Sequence, residues 1–220
     1  GVAWARRVGA EERAEFEAAM RREGLGELGI HEIDEADQRR PAPRRPVHFP
    51  LTYIEPFPER QASVGFDLLS ESRRAAALWE ASSTGMVTAS DMVRTAGDRA
   101  PVIMIYAPVK GRAAAGVTAS TLNAWDAGET RGFALIALRP ESLLEHAMRR
   151  EEAEGASMLV ALHQLRPDGT SELLATTSPD APEVRLRRLP CHDDLAQHRL
   201  AIPVPVFGKA YALTFQPSPH

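Results

Sequence analysis

Residues 49–90 read FPLTYIEPFPERQASVGFDLLSESRRAAALWEASSTGMVTAS, and the division of this stretch between strand and helix decides the fold. Its opening run, 51–54, is extended in character and stops at Glu55-Pro56, because proline has no N–H with which to continue a ladder. The run 63–69 reads as a return to extended structure. At a period of two, Val64, Phe66 and Leu68 share one face, which places Asp67 with Gly65 and Leu69 on the other. A carboxylate among such neighbours must find a partner. Arg74, just inside the Ala-rich helix that follows, is the nearest cation within reach. Gly85 suits the left-handed residue that ends such a helix, and 86–90 offers a further short strand.

Working outward, residues 100–109 are almost wholly apolar and β-branched-rich, as a central strand should be. The small, polar run 113–128 reads as a long loop, and 132–138 as another strand. Pro140-Glu141 then opens a helix to about residue 152, with proline in the first turn and an acid near the positive end of the helix dipole. Beyond it, 157–165 and 171–177 flank the turn Arg166-Pro167-Asp168-Gly169, and 200–206 and 210–215 flank Phe207-Gly208-Lys209. Both pairs predict hairpins. The intervening run 184–189 alternates apolar residues with arginine.

Upstream, residues 3–23 are charged and helix-favouring, with Trp4, Val8, Phe16, Ala19 and Met20 at three- and four-residue steps apart from a gap near Glu11-Glu12. The pattern predicts an amphipathic helix that packs on its own domain, forms a dimer stalk, or does both with different stripes. Residues 24–29 match G-x-G-x-x-G, the phosphate-cradling pattern, but follow a helix rather than a strand, so helix-capping glycines are the better reading. Between 37 and 50, Arg39, Arg40, Arg44 and Arg45 alternate with Pro41, Pro43, Pro46 and Pro50. That composition predicts an exposed loop of solvated arginines or an anion-binding patch.

Composition bounds the function loosely. At 220 residues, 44% hydrophobic and 25% charged, the chain is ordinary globular material. A net charge of -4 gives no reason to expect nucleic acid as a partner. Lys110 and Lys209 are the only lysines among 26 basic residues, and Cys191 is the single cysteine, so no intrachain disulfide can form. No apolar run approaches the roughly 18–20 residues needed to span a bilayer, and the start at Gly1 predicts an excised fragment with its membrane anchors outside it.

The motifs Tyr53-Ile54-Glu55-Pro56, Gly65-Phe66-Asp67, Arg74, Thr84-Gly85, Ser90 and Pro108-Val109, with Trp4, Val8, Glu12-Arg13 and Phe16 upstream and Gly132-Phe133 downstream, resemble the CHASE family of extracytoplasmic sensory domains. Order and spacing both match over about residues 4–148. The resemblance implies an α+β fold: a long N-terminal helix followed by two PAS-like lobes with antiparallel sheets. Its divisions are a stalk helix and turn over 1–36, a membrane-distal ligand lobe over 37–152 and a membrane-proximal lobe over 153–220. It further implies a periplasmic receptor domain, a homodimer joined through the N-terminal helix, and a cytoplasmic histidine kinase or diguanylate cyclase that receives the signal. Arg73 stands where the plant cytokinin receptors of this family carry an acidic ligand contact.

No catalytic residue is predicted, because G-x-S-x-G, H-E-x-x-H, Walker and paired-cysteine motifs are all missing from the sequence. No cofactor or metal is expected either. The best metal candidate, Cys191-His192-Asp193-Asp194 with His198, matches no known ligand spacing and reads as a polar loop. The expected site is a small-molecule cavity in which Asp67, Arg74, Thr84, Thr88, Ser90 and Tyr106 supply polar groups. Its walls are expected from Phe66, Met86, Met104 and Ile136. The competing readings are an internal Asp67–Arg74 brace in a ligand-free structural or dimerisation module, and a soluble enzyme.

Overall fold

A computed structural model describes residues 1–25, 28–56, 63–95, 100–111, 130–151, 158–177 and 200–217. Its elements, in order, begin with β1 (Val2–Arg6), β2 (Val8–Gly9), α1 (Arg13–Arg22), β3 (His31–Ile33), β4 (Arg39–Pro41), β5 (Val47–His48) and β6 (Leu51–Glu55). A short 3-10 turn (Leu68–Ser70) leads into α2 (Ser72–Thr84), followed by β7 (Thr88–Ala89), β8 (Val93–Arg94), β9 (Pro101–Lys110) and β10 (Thr130–Leu138). The remainder is α3 (Pro140–Glu151), β11 (Met158–Leu165), β12 (Ser171–Thr176), β13 (Leu200–Val206) and β14 (Lys209–Pro217). The chain divides into two compact units, Gly1–Leu138 and Arg139–His220.

The first unit is built on an antiparallel sheet in the order β6-β1-β10-β9-β7, with β8 also paired to β9. The expected long N-terminal helix is not there. Residues 2–6 form the strand β1, bonded on both sides, with Ala3 opposite Leu135 on one side and Ile54 on the other. Ala3 and Ala5 point into the core while Val2 and Arg6 face out, a period of two that the short alanines hide from a hydrophobicity count. Two ladders of backbone hydrogen bonds outweigh a helix preference worth only tenths of a kcal/mol per residue. Helix remains only over the ten residues of α1. The architecture is β-rich with short helices, not a long helix followed by PAS-like lobes. The residues expected to form that helix, 3–23, instead carry two strands and one short helix.

Alternation along the strands sets the two faces of the sheet. Phe133, Leu135, Met104 and Tyr106 point inward beneath α2, whose Ala77, Leu78 and Ala81 are buried against them. Phe49 and Phe133 meet edge to face with ring centroids 5.0 Å apart, and Tyr106 meets Phe133 at 6.3 Å. Each such ring pair adds about 0.5–1.5 kcal/mol to the area it buries. The opposite face leaves Val2, Tyr53 and Ile136 exposed.

α2 has well-defined ends. Glu71 accepts the N–H groups of Arg73 and Arg74 at the start, and Gly85 closes it in the left-handed region at φ 72. Gly24, at φ 68, follows α1 in the same manner. The run 63–69, expected to be one strand, is instead a turn, isolated bridges from Phe66 to His31 and from Asp67 to Pro50, and the 3-10 turn. Gly65 causes the departure from regular strand: it sits at φ 89, where a Cβ would overlap the carbonyl oxygen of Gly29.

The second unit is a four-stranded antiparallel sheet in the order β12-β11-β14-β13. α3 contributes Leu144 to a core with Val160 and Ala175. The two sequence hairpins are present as β11–β12 and β13–β14.

Candidate functional site

Asp67 is fully buried, and its partners differ from those the sequence suggested. Its Oδ1 accepts the N–H groups of Phe49 at 3.0 Å and Leu69 at 3.2 Å. Oδ2 accepts from His48 Nδ1 at 2.7 Å and from Arg45 Nη1 at 3.2 Å. Four donors therefore satisfy a carboxylate that has no exposure to water. With Nδ1 of His48 donating to Asp67, Nε2 faces Arg13 Nη1 at 3.5 Å. Arg13 in turn pairs with Glu17 at 2.8 Å, and Arg45 with Glu32 at 3.1 Å. An open groove of about 580 Å³ lies over this network, lined by Arg13, Glu17, Arg44, Arg45 and His48. The anion patch expected of the arginine-rich loop is largely self-neutralised, since Arg40 pairs with Asp34 as well.

Arg74 does not meet Asp67. It lies under α2 with its guanidinium 5.2 Å above the ring of Phe66, donates from Nη2 to the Arg94 carbonyl at 2.6 Å, and keeps Glu71 at 3.8 Å from Nη1. Here a cavity of about 40 Å³ opens, with Arg74, Phe66 and Met104 in its lining. Leu51, Ile54, Leu68 and Leu135 supply further apolar wall, and Ser63 and Thr95 add hydroxyls at its margin. Of the ten site residues read from the sequence, these three are the ones that line it.

Tyr106 is next to them, two positions from Met104 on the same face of β9 and opposite Leu135. It is wholly buried, and among the described residues its hydroxyl has no hydrogen-bond partner. Burial raises its pKa well above the ordinary phenol value, with the nearby Arg74 charge opposing that rise only in part. The hydroxyl thus stays a neutral donor. Ser90 is buried too, but its Oγ accepts the Met104 N–H at 3.1 Å and so fixes the edge of β9. Thr88 is paired across from Tyr106 and donates to the Met86 carbonyl at 3.2 Å.

The other expected residues lie elsewhere. Thr84 is exposed at the end of α2, where it donates to the Glu80 carbonyl at 2.7 Å and accepts from the Met86 N–H at 3.2 Å. Met86 itself is exposed. Ile136 points to the outer face of the sheet, and its neighbours Leu135 and Ala137 wall the cavity in its place. Phe133, an aromatic residue that a sheet buries, sets the inward frame 133, 135, 137 and was the signal that could have found them. His48 was the other omission, a polar residue between Val47 and Phe49 in an apolar run. The Cys191 to His198 cluster lies outside the described residues. Among the described residues, no group of three or more metal-ligating side chains stands together, and no helix is long and apolar enough to cross a membrane.

Two features of the sequence motif thus have structural causes: Gly65 lets the chain turn back against Gly29, and Asp67 ties 48–49 to the start of the 3-10 turn. No curated protein matches the chain. The family model of the CHASE domain matches residues 1–175, which takes in the whole first unit and this motif. The chain therefore belongs to the CHASE-domain family, the extracellular, non-catalytic sensory domains of signalling receptors.

Proposed function

We propose that this chain is the ligand-sensing part of a transmembrane receptor, which binds a small molecule in the cavity of the first unit and signals to a histidine kinase or diguanylate cyclase. The observation that supports this reading is the 40 Å³ cavity under α2, in which a buried cation and apolar side chains converge. Binding can drive a signal only through a difference in affinity between two arrangements of the domain. Ile54, near the end of β6, and Thr95, just after β8, line the cavity and are points of the unit through which such a difference would act.

A second reading, a ligand-free structural module, draws on Asp67, whose acceptor capacity is taken up by the protein. Mass spectrometry of small molecules released from the purified protein separates the two. Sensing predicts a stoichiometric compound that is lost on filling the cavity with Leu135→Phe. A structural module predicts no released compound and no thermal stabilisation by any member of a broad metabolite panel.

A further inference from the structure

We propose that Asp67, His48 and Arg13 form an acid-sensitive latch, in which a proton taken up at His48 Nε2 displaces Arg13 and frees the N-terminal half of α1 from the segment 42–46. The stimulus it reads is the proton itself, so it stands apart from the cavity beneath α2 and from any ligand held there.

The first observation fixes where the proton goes. The side chains of His48 and Asp67 have no exposure, and the ring donates from Nδ1 to Asp67 Oδ2 at 2.7 Å. The other carboxylate oxygen accepts the N–H groups of Phe49 and Leu69, which holds the carboxylate in place. Nδ1 therefore keeps its hydrogen in both charge states, and the ring gains or loses a proton at Nε2. That atom is on the groove side. His48 lines the groove of about 580 Å³, where Arg13 Nη1 stands 3.5 Å from Nε2.

The second is the sign of that contact. Neutral His48 offers Nε2 as an acceptor to the Arg13 N–H. Protonated, it sets a donor against a donor and a cation against a cation. The surrounding charges do not absorb the change: Arg13, Arg44 and Arg45 stand against Glu17, Glu32 and Asp67, three against three, before the proton arrives. Glu12, outside the groove lining, is bonded to the Gly9 N–H, and β2, which pairs with His48 through Val8, brings no charge of its own.

The third is what Arg13 holds. Its Nη1 donates to the Pro43 carbonyl at 3.2 Å, and its Nε pairs with Glu17, on the same helix, at 2.8 Å. Swinging into the groove keeps the Glu17 pair and gives up Pro43. The bond from the Ala10 N–H to the Pro46 carbonyl then remains to tie the chain just before α1 to this segment. An extracellular domain meets the pH of its surroundings directly, and the latch turns the binding of one proton into a loosened helix.

The test is an NMR titration of the histidine rings in the full chain from pH 8.5 to pH 4.5, with the His48 ring assigned through its backbone amide. It is read together with hydrogen exchange of residues 10–17 and 42–46 at pH 7.5 and pH 5.5, corrected for intrinsic exchange. Protection of both segments should fall ~5-fold or more at the lower pH as His48 titrates, through local opening rather than global unfolding. His48→Gln should abolish that fall. Arg13→Gln, whose amide oxygen can accept the new N–H, should abolish it too and move the His48 titration to higher pH, since a neighbouring cation is gone. This second variant carries the test if His48→Gln does not fold. A His48 ring that shows no titration, a titration that leaves the protection of α1 unchanged, or a fall that persists in either variant would overturn the latch, as would a His48 titration unmoved in Arg13→Gln.

Discussion

Replacing Asp67 by alanine should destabilise the first unit by about 3–5 kcal/mol, the range for removing one member of a buried charged pair. The figure follows from what is left behind. The N–H groups of Phe49 and Leu69 lose their acceptor, His48 Nδ1 loses a 2.7 Å bond inside a site closed to water, and Arg45 keeps only Glu32. Each stranded buried donor costs about 1–3 kcal/mol, and because the four share one carboxylate the total falls short of their sum. Asp67→Asn retains an oxygen for the two backbone groups but sets an NH₂ against His48 and Arg45, so about 1.5–3 kcal/mol is expected. Urea unfolding followed by tryptophan fluorescence reads this unit separately, since Trp4, Trp79 and Trp125 all precede residue 139. Losses below about 1 kcal/mol for both variants, with unchanged m-values, would refute the brace.

Gly65→Ala should cost more than about 2 kcal/mol, from left-handed strain together with overlap on the Gly29 carbonyl, and would show as a lowered urea midpoint. Tyr106→Phe should leave stability unchanged or slightly raised, because the hydroxyl it deletes has no partner to lose; a drop of 1 kcal/mol or more would mean an acceptor exists. Burial holds the pKa of His31 below its ordinary 6.5, so the unfolded chain takes up a proton first as pH falls. Stability should therefore decline from about pH 6.5 down to the folded pKa, and His31→Gln should lessen the difference in urea midpoint between pH 7.5 and pH 5. His163, lowered by burial in the same sense, should do likewise for the second unit, visible as smaller hydrogen-exchange protection factors in β11 under mild acid, after correction for the slower intrinsic exchange.

Much of the strand order was legible because it rests on local signals. The apolar run of β9, the helix opened by Pro140 and the glycine-centred turn before β12 each follow from residues adjacent in sequence. β1 was not legible. Its inward residues are alanines, which score well as helix, and its strand character comes from partners distant in the sequence, β6 on one side and β10 on the other. The cavity was half legible for a related reason. Phe66, Arg74 and Met104 belong to it, but an alternating strand offers two frames, and the frame containing Ile136 faces outward. Asp67 was recognised as a carboxylate in need of a partner. The cation nearest in sequence was Arg74, whereas the pairing of β2 with β5 brings His48, from the other direction, into contact instead.

The position of β1 in the sheet also bears on how the domain comes to be folded. Its two neighbours are residues 51–55 and 132–136, so its second edge stays vacant until the last strand of the unit has left the ribosome. At about 5–20 residues per second, that interval is on the order of ten seconds. Throughout it, Val2 to Arg6 and its partner β6 present an unpaired, partly apolar edge of the kind that invites association with other chains. Biogenesis of this protein thus has a long vulnerable window, and chaperones that shield nascent strands would be expected to govern its yield more than its final stability does.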